Sequence, residues 1–368
     1  MLAVSDAWPR GAEAIRDKVG ANEPLLSYHG PPMRERLTSP NISEAANQWQ
    51  SEQICWLNIG CNLTNRDPEK NFEALWKTFH RRYPFFELRS VDWCKQYRLY
   101  RPRISPATSD KELYEVFCSM LDPLDDGHVE ITARLGHSKA KAHFTAEKAP
   151  RFYREFTGPQ IERLFDVTRA TLTANRFGPF RKSKAWILRY CRSPNYGYMR
   201  ILELEDVKKK RVSMALDKFS RDMPDLKGFI IDIRDNPGGE DNIALMIIDR
   251  FTDRKRVAFR RRSKIGSGKD EFTPLKTWHI SPKGDVQFTR PIVLLTCDAV
   301  FSGAECFALA LRELPYVTIL GEHTNGIFSY QLEKTLPNRW NYSLSYQEYL
   351  SADMICYEGK GVHADIEL

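Results

Sequence analysis

Three residues far apart in the chain could together form a hydroxyl nucleophile, its base and a supporting carboxylate. Ser302 lies between an apolar run and a helical pattern, so its hydroxyl would lie near a helix N-terminus, where a developing anion is favoured. The imidazole of His128 could remove a proton from such a hydroxyl at neutral pH. The carboxylate of Glu358 could orient that imidazole and stabilise its charged form. Each also has a purely structural interpretation, since Ser302 with Glu305 matches a helix capping box and an isolated histidine or surface acid needs no catalytic role.

Glycines next to two predicted helix starts could complete such a site. Gly238 and Gly239 follow an apolar run and precede a helical pattern, and Gly303 comes directly after Ser302. Glycine lets the backbone turn sharply and offers bare amide N–H groups to an anion, as an oxyanion hole requires. We therefore expect Gly238, Gly239 and Gly303 to supply its donors, although an ordinary Pro-Gly turn would also explain the pair. This chemistry needs no metal or cofactor.

The elements that must position these residues follow from the hydrophobic spacing. Apolar residues predict helices near residues 71–79 and 110–121, the second with a capping box at Ser109 and Glu112. Short β segments are expected near Phe165 and near 185–188. From Tyr196 onward the alternation is clear, with apolar strands at 198–204, 229–233, 292–296 and 317–320 separated by helical patterns. Alternating strands and helices favour parallel βαβ units, whose sites lie at the carboxyl ends of the strands, where Ser302 and the glycine turn fall.

The chain divides by composition into three parts. Residues 1–66 are rich in Pro, Asn, Ser and Gly and predict an arm or loosely structured lead-in. Residues 67–140 predict a helical subdomain that ends in the His128 motif. Residues 141–368 predict an α/β core that carries Ser302 and Glu358, with no inserted peptide-binding module.

Composition excludes several classes of function. No apolar run approaches the roughly 20 residues of a membrane span, and a net charge of +7 without a recognition motif does not favour nucleic acid. The eight cysteines show no CxxC pair or zinc spacing, and we interpret them as mostly reduced and buried. The chain begins without a secretory signal, which predicts a cytoplasmic protein, or an extracytoplasmic one if a leader has been removed. The oligomeric state is not predicted.

Four segments, in order, resemble the motifs of the carboxy-terminal processing proteases. Gly228 to Gly239 resembles their D-x-R-x-N-P-G-G strand and turn, and Phe301 to Glu305 resembles their nucleophile motif. Leu320 to Gly326 is similar to their G-E-x-T-x-G segment. Glu358 to Asp365 is similar to their E-G-x-G-V-x-P-D ending, with Ala364 in place of the proline. The resemblance covers about residues 70–368 and implies a crotonase/Clp-like α/β core.

A fifth segment places the chain nearer to the tricorn-type branch, which interphotoreceptor retinoid-binding protein also resembles. The bacterial processing proteases have a lysine base directly after the G-E-x-T-x-G segment, where this chain has Ile327, which cannot accept a proton. Leu124 to His128 instead matches the L-x-D-x-H motif of the tricorn branch. In that branch the histidine is the base and a late glutamate supports it, which implies these roles for His128 and Glu358. Tricorn has a serine before the histidine, where this chain has Gly127.

The resemblance implies a serine peptidase that cleaves peptide or protein tails through a Ser302–His128–Glu358 triad and an acyl-enzyme. Two alternatives stay open. One is a biosynthetic acyl-transfer or hydrolytic enzyme that uses the same triad on a small molecule. The other is a non-catalytic binder of hydrophobic ligands, because a fold does not fix its function.

Overall fold

A computed structural model of the protein describes residues 65–368, apart from the short segments 137–139, 148, 183–185, 206–207 and 223. The lead-in predicted for residues 1–66 therefore lies outside the described residues except at its last two positions. The described helices are α1 (Pro68–Arg82), α2 (Trp93–Tyr100), α3 (Asp110–Leu121), α4 (Arg151–Glu155), α5 (Gly158–Ala174), α6 (Lys209–Arg221), α7 (Asp241–Ile248) and α8 (Gly303–Leu311). The described strands are β1 (Glu130–Arg134), β2 (Lys141–Thr145), β3 (Arg181–Lys182), β4 (Leu188–Arg192), β5 (Tyr196–Ile201), β6 (Gly228–Asp232), β7 (Arg256–Ser263), β8 (Lys276–Ile280), β9 (Ile292–Thr296), β10 (Val317–Gly321), β11 (Gln331–Thr335), β12 (Asn341–Ser345), β13 (Gln347–Leu350) and β14 (Ile366–Glu367).

The first helices begin where their capping residues predict. The side chain of Asp67 accepts the first free N–H groups of α1, and Pro68 occupies the first helical turn. Helix α3 begins at the capping box of Ser109 and Glu112, as the sequence predicts. The apolar faces of both helices meet in a buried cluster that includes Phe72, Phe79, Phe117 and Leu121. This packing supports the segment that leads into His128.

The helical region is completed by strands from the end of the chain. Strands β1 and β2 pair antiparallel with each other, and β12 pairs with the other edge of β1, in the order β11-β12-β1-β2. Trp340 and Tyr342 also enter the apolar cluster of the helices. A division of the chain at residue 140 therefore cuts through a β-hairpin, and residues 331–345 pack with the helical region rather than only with the α/β core.

The main sheet has seven strands in the order β14-β10-β9-β6-β5-β4-β3. Neighbouring strands from β5 to β14 run parallel, whereas β4 and β3 pair antiparallel at one edge. The larger buried cluster includes apolar residues of this sheet and of the helices around it. The predicted parallel βαβ arrangement is confirmed, and the loops that leave β6 and β9 reach the same sheet edge.

The β segment expected near Phe165 is wrong, because Phe165 lies in the middle of α5. A capping box of Thr157 and Gln160 and a proline in the first turn begin this helix. Its buried residues Ile161, Phe165 and Leu172 recur at helical spacing. The helix covers the main sheet, and the guanidinium of Arg200 lies 3.1 Å from the centre of the Phe165 ring.

Among the described residues, no helix is long and apolar enough to cross a bilayer.

Candidate active site

Ser302 lies in a strained turn between β9 and α8. Its backbone has φ 53° and ψ −123°, a conformation that L-residues rarely adopt. Its side chain makes no hydrogen bond that caps the helix, so the capping-box interpretation of the sequence does not describe it. A serine held at such an angle with no capping role is typical of a site where strain serves function.

The turn that holds Ser302 is fixed from several sides. The carboxylate of Asp298 accepts the backbone N–H groups of Arg151 at 2.5 Å and Phe152 at 3.1 Å. The N–H of Asn325 donates to Val300 O at 2.9 Å, and its side-chain amide donates to Asp298 O at 3.2 Å. These contacts join the start of α4 and the segment after β10 to the serine turn. They explain how the turn can keep a costly backbone angle.

Glu305 anchors the segment that follows β10, and its carboxyl also interacts with the backbone N–H of Ser302. Its Oε1 accepts from the Thr324 hydroxyl and the Gly326 N–H, each at 2.6 Å, and its Oε2 accepts from the Ile327 N–H at 2.7 Å. Burial raises the pKa of this carboxyl to about 7, although the hydrogen bonds oppose the change. The spacing of Ser302 and Glu305 therefore reflects a tertiary contact of Glu305 in addition to its interaction with the start of the helix.

The glycine turn between β6 and α7 packs directly against Ser302. Gly238 has φ 93°, and a Cβ added there would lie 2.5 Å from Phe301 O, 2.7 Å from Gly303 N and 2.9 Å from Ser302 Cβ. Only glycine fits such an approach. The N–H of Gly238 already donates to the Asn236 side chain at 2.9 Å, which leaves Gly239 and Gly303 as the candidate oxyanion donors.

Gly239 is held in place by a neighbouring segment. Leu204 pairs with it in a parallel bridge, donates to Gly238 O at 2.7 Å and accepts from Glu240 N–H at 3.0 Å. The added Cβ of Gly303 would also collide with Gly239 O. The amides of Gly239 and Gly303 thus belong to two loops in direct contact, at the start of two helices, where an anion is favoured.

His128 contacts the turn that holds Ser302 through an aromatic ring. Its ring meets the ring of Phe301, the residue before Ser302, edge to face with centroids 4.9 Å apart. Asp126 fixes the loop, since its Oδ1 accepts the His128 N–H at 2.9 Å and its Oδ2 accepts the Tyr83 hydroxyl at 2.9 Å. Burial lowers the pKa of His128 to about 4, although the charge of Asp126 opposes this. The imidazole is therefore neutral at neutral pH, as a general base must be.

Glu358 is buried, and its carboxylate is held by backbone N–H groups just after the segment that Glu305 binds. Its Oε2 accepts the N–H groups of Phe328 at 2.9 Å and Ser329 at 3.2 Å. Its Oε1 makes no hydrogen bond to another described residue, and neither does His128 Nδ1. The charge of Asp126 acts on both Glu358 and His128, so both groups lie near it.

The predicted triad is thus only partly assembled in this arrangement. The segment of Ser302 and the ring of His128 are brought together through Phe301. No hydrogen bond among the described residues joins Ser302 to His128, or His128 to Glu358. The link from Glu358 to the imidazole requires a local movement or a bridging group.

Sequence reasoning missed three polar residues around this site. Asp126 is the third position of the L-x-D-x-H motif, so its fixed spacing from His128 was an available signal. Arg89 lies with Nη2 3.8 Å from Glu358 Oε1, and no local pattern marks it. Glu147 accepts from the Asn325 side chain at 3.1 Å, and burial raises its pKa to about 7.

Gly127 leaves no room for the serine that precedes the histidine in tricorn. A Cβ added there would lie 2.8 Å from the Phe301 ring and 2.9 Å from Glu147 Oε2. Ile327, at the position of the lysine base of the bacterial enzymes, is buried and donates its N–H to Glu305. No cluster of metal-ligating side chains occurs within the described part of the chain.

Comparisons with known proteins point to one group of peptidases. Residues 195–368 match peptidase family S41, and residues 64–122 match the tricorn protease C1 domain. The carboxy-terminal processing protease CtpA of Bacillus subtilis is 27% identical over 173 residues, which cover 47% of this chain and 35% of that protein. The carboxy-terminal-processing protease of Bartonella bacilliformis is 26% identical over 210 residues, which cover 54% of this chain and 46% of that protein. The chain thus spans less than half the length of these curated relatives.

Solved structures agree with this over most of the chain. A candidate peptidase from Parabacteroides merdae has a TM-score of 0.69 and 25% identity, and the match covers 83% of this chain and 90% of that one. The photosystem II D1 C-terminal processing protease has a TM-score of 0.51 and 16% identity, covering 83% and 94%, and so shares the fold. The chain therefore carries a domain of peptidase family S41 over residues 195–368, and through it is related to the carboxy-terminal processing proteases.

Proposed function

We propose that the protein is a serine peptidase that cleaves peptide or protein substrates near their carboxyl ends, with Ser302 as nucleophile and His128 as base. The observation that carries this proposal is the contact between the Gly238–Gly239 turn and the strained Ser302–Gly303 turn. This contact supports the proposal because the N–H groups of Gly239 and Gly303, in the two touching turns, make no hydrogen bond to a described residue. Family membership supplies the reaction class, and the relatives' names supply the kind of substrate.

In the first half of the reaction, Ser302 Oγ attacks the scissile carbonyl while its proton passes to His128. The carbonyl oxygen becomes an anion, which the N–H groups of Gly239 and Gly303 stabilise. Removing one such donor typically costs about 3 kcal/mol of barrier. The protonated imidazole then gives its proton to the leaving amine, and an acyl-enzyme results.

In the second half, water attacks the acyl-enzyme with His128 again as base, and Ser302 is restored. The low pKa of His128 means that it holds a proton weakly in the resting arrangement. A carboxylate close to the imidazole would strengthen this base as charge develops. We assign that role to Glu358, which stabilises the imidazolium once its Oε1 reaches the ring.

The first experiment is covalent labelling by a fluorophosphonate probe. Wild-type protein should be labelled, Ser302→Ala should not, and Ser213→Ala, at a serine on α6, should behave as the wild type. Labelling that survives Ser302→Ala would contradict the assignment of the nucleophile.

A second experiment separates the substrate classes. Casein and peptides with free carboxyl ends are compared with simple esters, and the products are identified by mass spectrometry. Ser302-dependent release of fragments from the carboxyl end supports the proposal. Turnover of esters without any peptide would favour the small-molecule enzyme, and an unreactive Ser302 with a bound apolar ligand would favour the binder.

A further inference from the structure

Three side chains around the candidate site carry buried polar atoms that make no hydrogen bonds among the described residues. These atoms are Nε and Nη2 of Arg89, Nδ1 of His128 and Oε1 of Glu358. The Arg89 side chain is 11% exposed and that of Glu358 is 1% exposed. Buried charged groups are normally paired and hydrogen-bonded, because an unpaired one is costly. Arg89 therefore lies beside a buried carboxylate oxygen that has an ion-pair partner but no hydrogen bond among the described residues.

Arg89 reaches this place because two turns pack together. The turn after Pro84 is closed by the Arg89 N–H, which donates to Phe85 O at 2.9 Å. Leu88 packs on the turn that follows Glu358, where a Cβ added to Gly359 would lie 3.3 Å from Leu88 Cδ2. The Arg89 guanidinium thereby comes within 3.8 Å of Glu358 Oε1. The contact links the helical region to the end of the chain.

Burial and a neighbouring acid favour the neutral form of Glu358, and Arg89 opposes them without cancelling their effect. Burial raises the pKa of Glu358 well above its usual range, and the charge of Asp126 adds to this. Arg89 acts in the opposite direction, and so do hydrogen bonds from the backbone. The other charged or titratable groups that act on Glu358, Arg89 or His128 are Tyr83, Asp125, Glu305 and Cys356.

We propose that Arg89 is a positioning residue that holds Glu358 and favours its ionised form, and thereby makes the carboxylate available to the imidazolium of His128. The inference rests on the proposed function and deepens it. Arg89 does not touch the reacting atoms in this proposal, and it acts only through Glu358. A neutral Glu358 could not stabilise the positive charge that His128 gains when it takes the Ser302 proton.

The experiment measures kcat, KM and the pH profile of kcat/KM in Arg89→Met and Arg89→Lys. Loss of the Arg89 cation lets Glu358 hold its proton to higher pH, so the acid limb of the profile should move upward by about one pH unit or more in Arg89→Met. At pH 7 kcat should fall by about 10- to 100-fold, while KM should change by less than about threefold. Arg89→Lys keeps the charge and should show an intermediate shift. Arg81→Met, on the exposed side of α1, is the matched control and should keep the wild-type profile.

A double-mutant cycle with Glu358→Gln tests whether Arg89 acts through the carboxylate. In the Glu358→Gln background, neither Arg89 variant should cause a further loss or a further pH shift. Equal effects in both backgrounds would overturn the proposal, as would a rise in KM alone, which would instead indicate contact with substrate. If Arg89→Met does not fold, Arg89→Lys in the two backgrounds gives the same decision.

One readout does not depend on activity and so separates this proposal from the proposed function. Infrared difference spectra follow the C=O band of a protonated carboxyl, and the Glu358→Gln variant identifies the band of Glu358. The midpoint of that band should move to higher pH in Arg89→Met than in the wild type. An unchanged midpoint would overturn the role of Arg89 even in an active enzyme. A shifted midpoint in a protein without Ser302-dependent turnover would support the effect of Arg89 on Glu358 and contradict the proposed peptidase activity.

Discussion

Replacing Glu305 by alanine should lower the free energy of unfolding by about 2–6 kcal/mol. The carboxylate is fully buried and accepts two backbone N–H groups, those of Gly326 and Ile327. Alanine would leave both donors buried without an acceptor, at about 1–3 kcal/mol each. The Thr324 hydroxyl can rotate, so we assign it no separate loss. A typical domain is stable by only about 5–15 kcal/mol, so the effect should be large.

Guanidinium denaturation followed by fluorescence measures this loss. Glu313→Ala, just beyond the other end of α8, is the control and should change the free energy of unfolding by about 0.5 kcal/mol or less. A loss below about 1 kcal/mol in Glu305→Ala, with an unchanged denaturant slope, would refute the reasoning that these N–H groups depend on the carboxylate. Labelling at Ser302 should also slow, because Glu305 joins the 324–327 segment to the helix that begins after Ser302.

Three further outcomes follow from the geometry of the site. Ser302→Gly should abolish probe labelling yet raise the free energy of unfolding by about 1 kcal/mol, because glycine adopts the φ of 53° without backbone strain. A lower free energy of unfolding, measured by denaturation, would contradict the inference that Ser302 is strained. Gly238→Ala should cut the labelling rate by at least about 100-fold, because its Cβ would lie 2.5 Å from Phe301 O and would push the Gly238–Gly239 turn away from Ser302. A circular dichroism spectrum like that of the wild type would show that the fold is kept. His128 has a folded pKa of about 4 against 6.5 unfolded, so between these values the unfolded chain binds the proton and stability falls as pH falls. The free energy of unfolding of the wild type should therefore drop by about 2 kcal/mol more than that of His128→Gln between pH 7.5 and pH 5, and parallel curves would contradict the buried neutral imidazole.

The elements of the fold could be predicted where local signals agreed. Helix α3 begins at its capping box, and β9 coincides with an unbroken apolar run. Phe165 was misplaced because aromatic residues favour strands, while the proline and capping box at the start of α5 carried the stronger signal. The four-stranded sheet could not be predicted, since β1 and β12 are separated by about two hundred residues and no local pattern records their pairing.

The candidate site was predictable in residue type but not in its contacts. The glycine turn and Ser302 are adjacent, as parallel strands require of loops at one sheet edge. The pattern of Ser302 and Glu305 suggested a full capping box, because a short-range rule cannot show that the Ser302 hydroxyl makes no capping bond or that Glu305 also binds the segment after β10. Gly238 was expected to donate its N–H to the oxyanion, but Asn236, two residues earlier, accepts that proton.

The roles of Arg89 and Asp126 show why the carboxylate of a triad cannot be assigned from its motif alone. A buried glutamate favours its neutral form, and a second buried acid nearby favours it further. In the proposed mechanism, the support that Glu358 gives to His128 depends in part on a cation supplied by a turn some 270 residues earlier in the chain. Both the C-terminal motif with Glu358 and the motif with His128 can be intact while a neutral Glu358 gives no charge stabilisation to the imidazolium. In the proposed mechanism the strength of the base depends on the ionisation of Glu358, which burial, Asp126 and Arg89 set together in the folded chain.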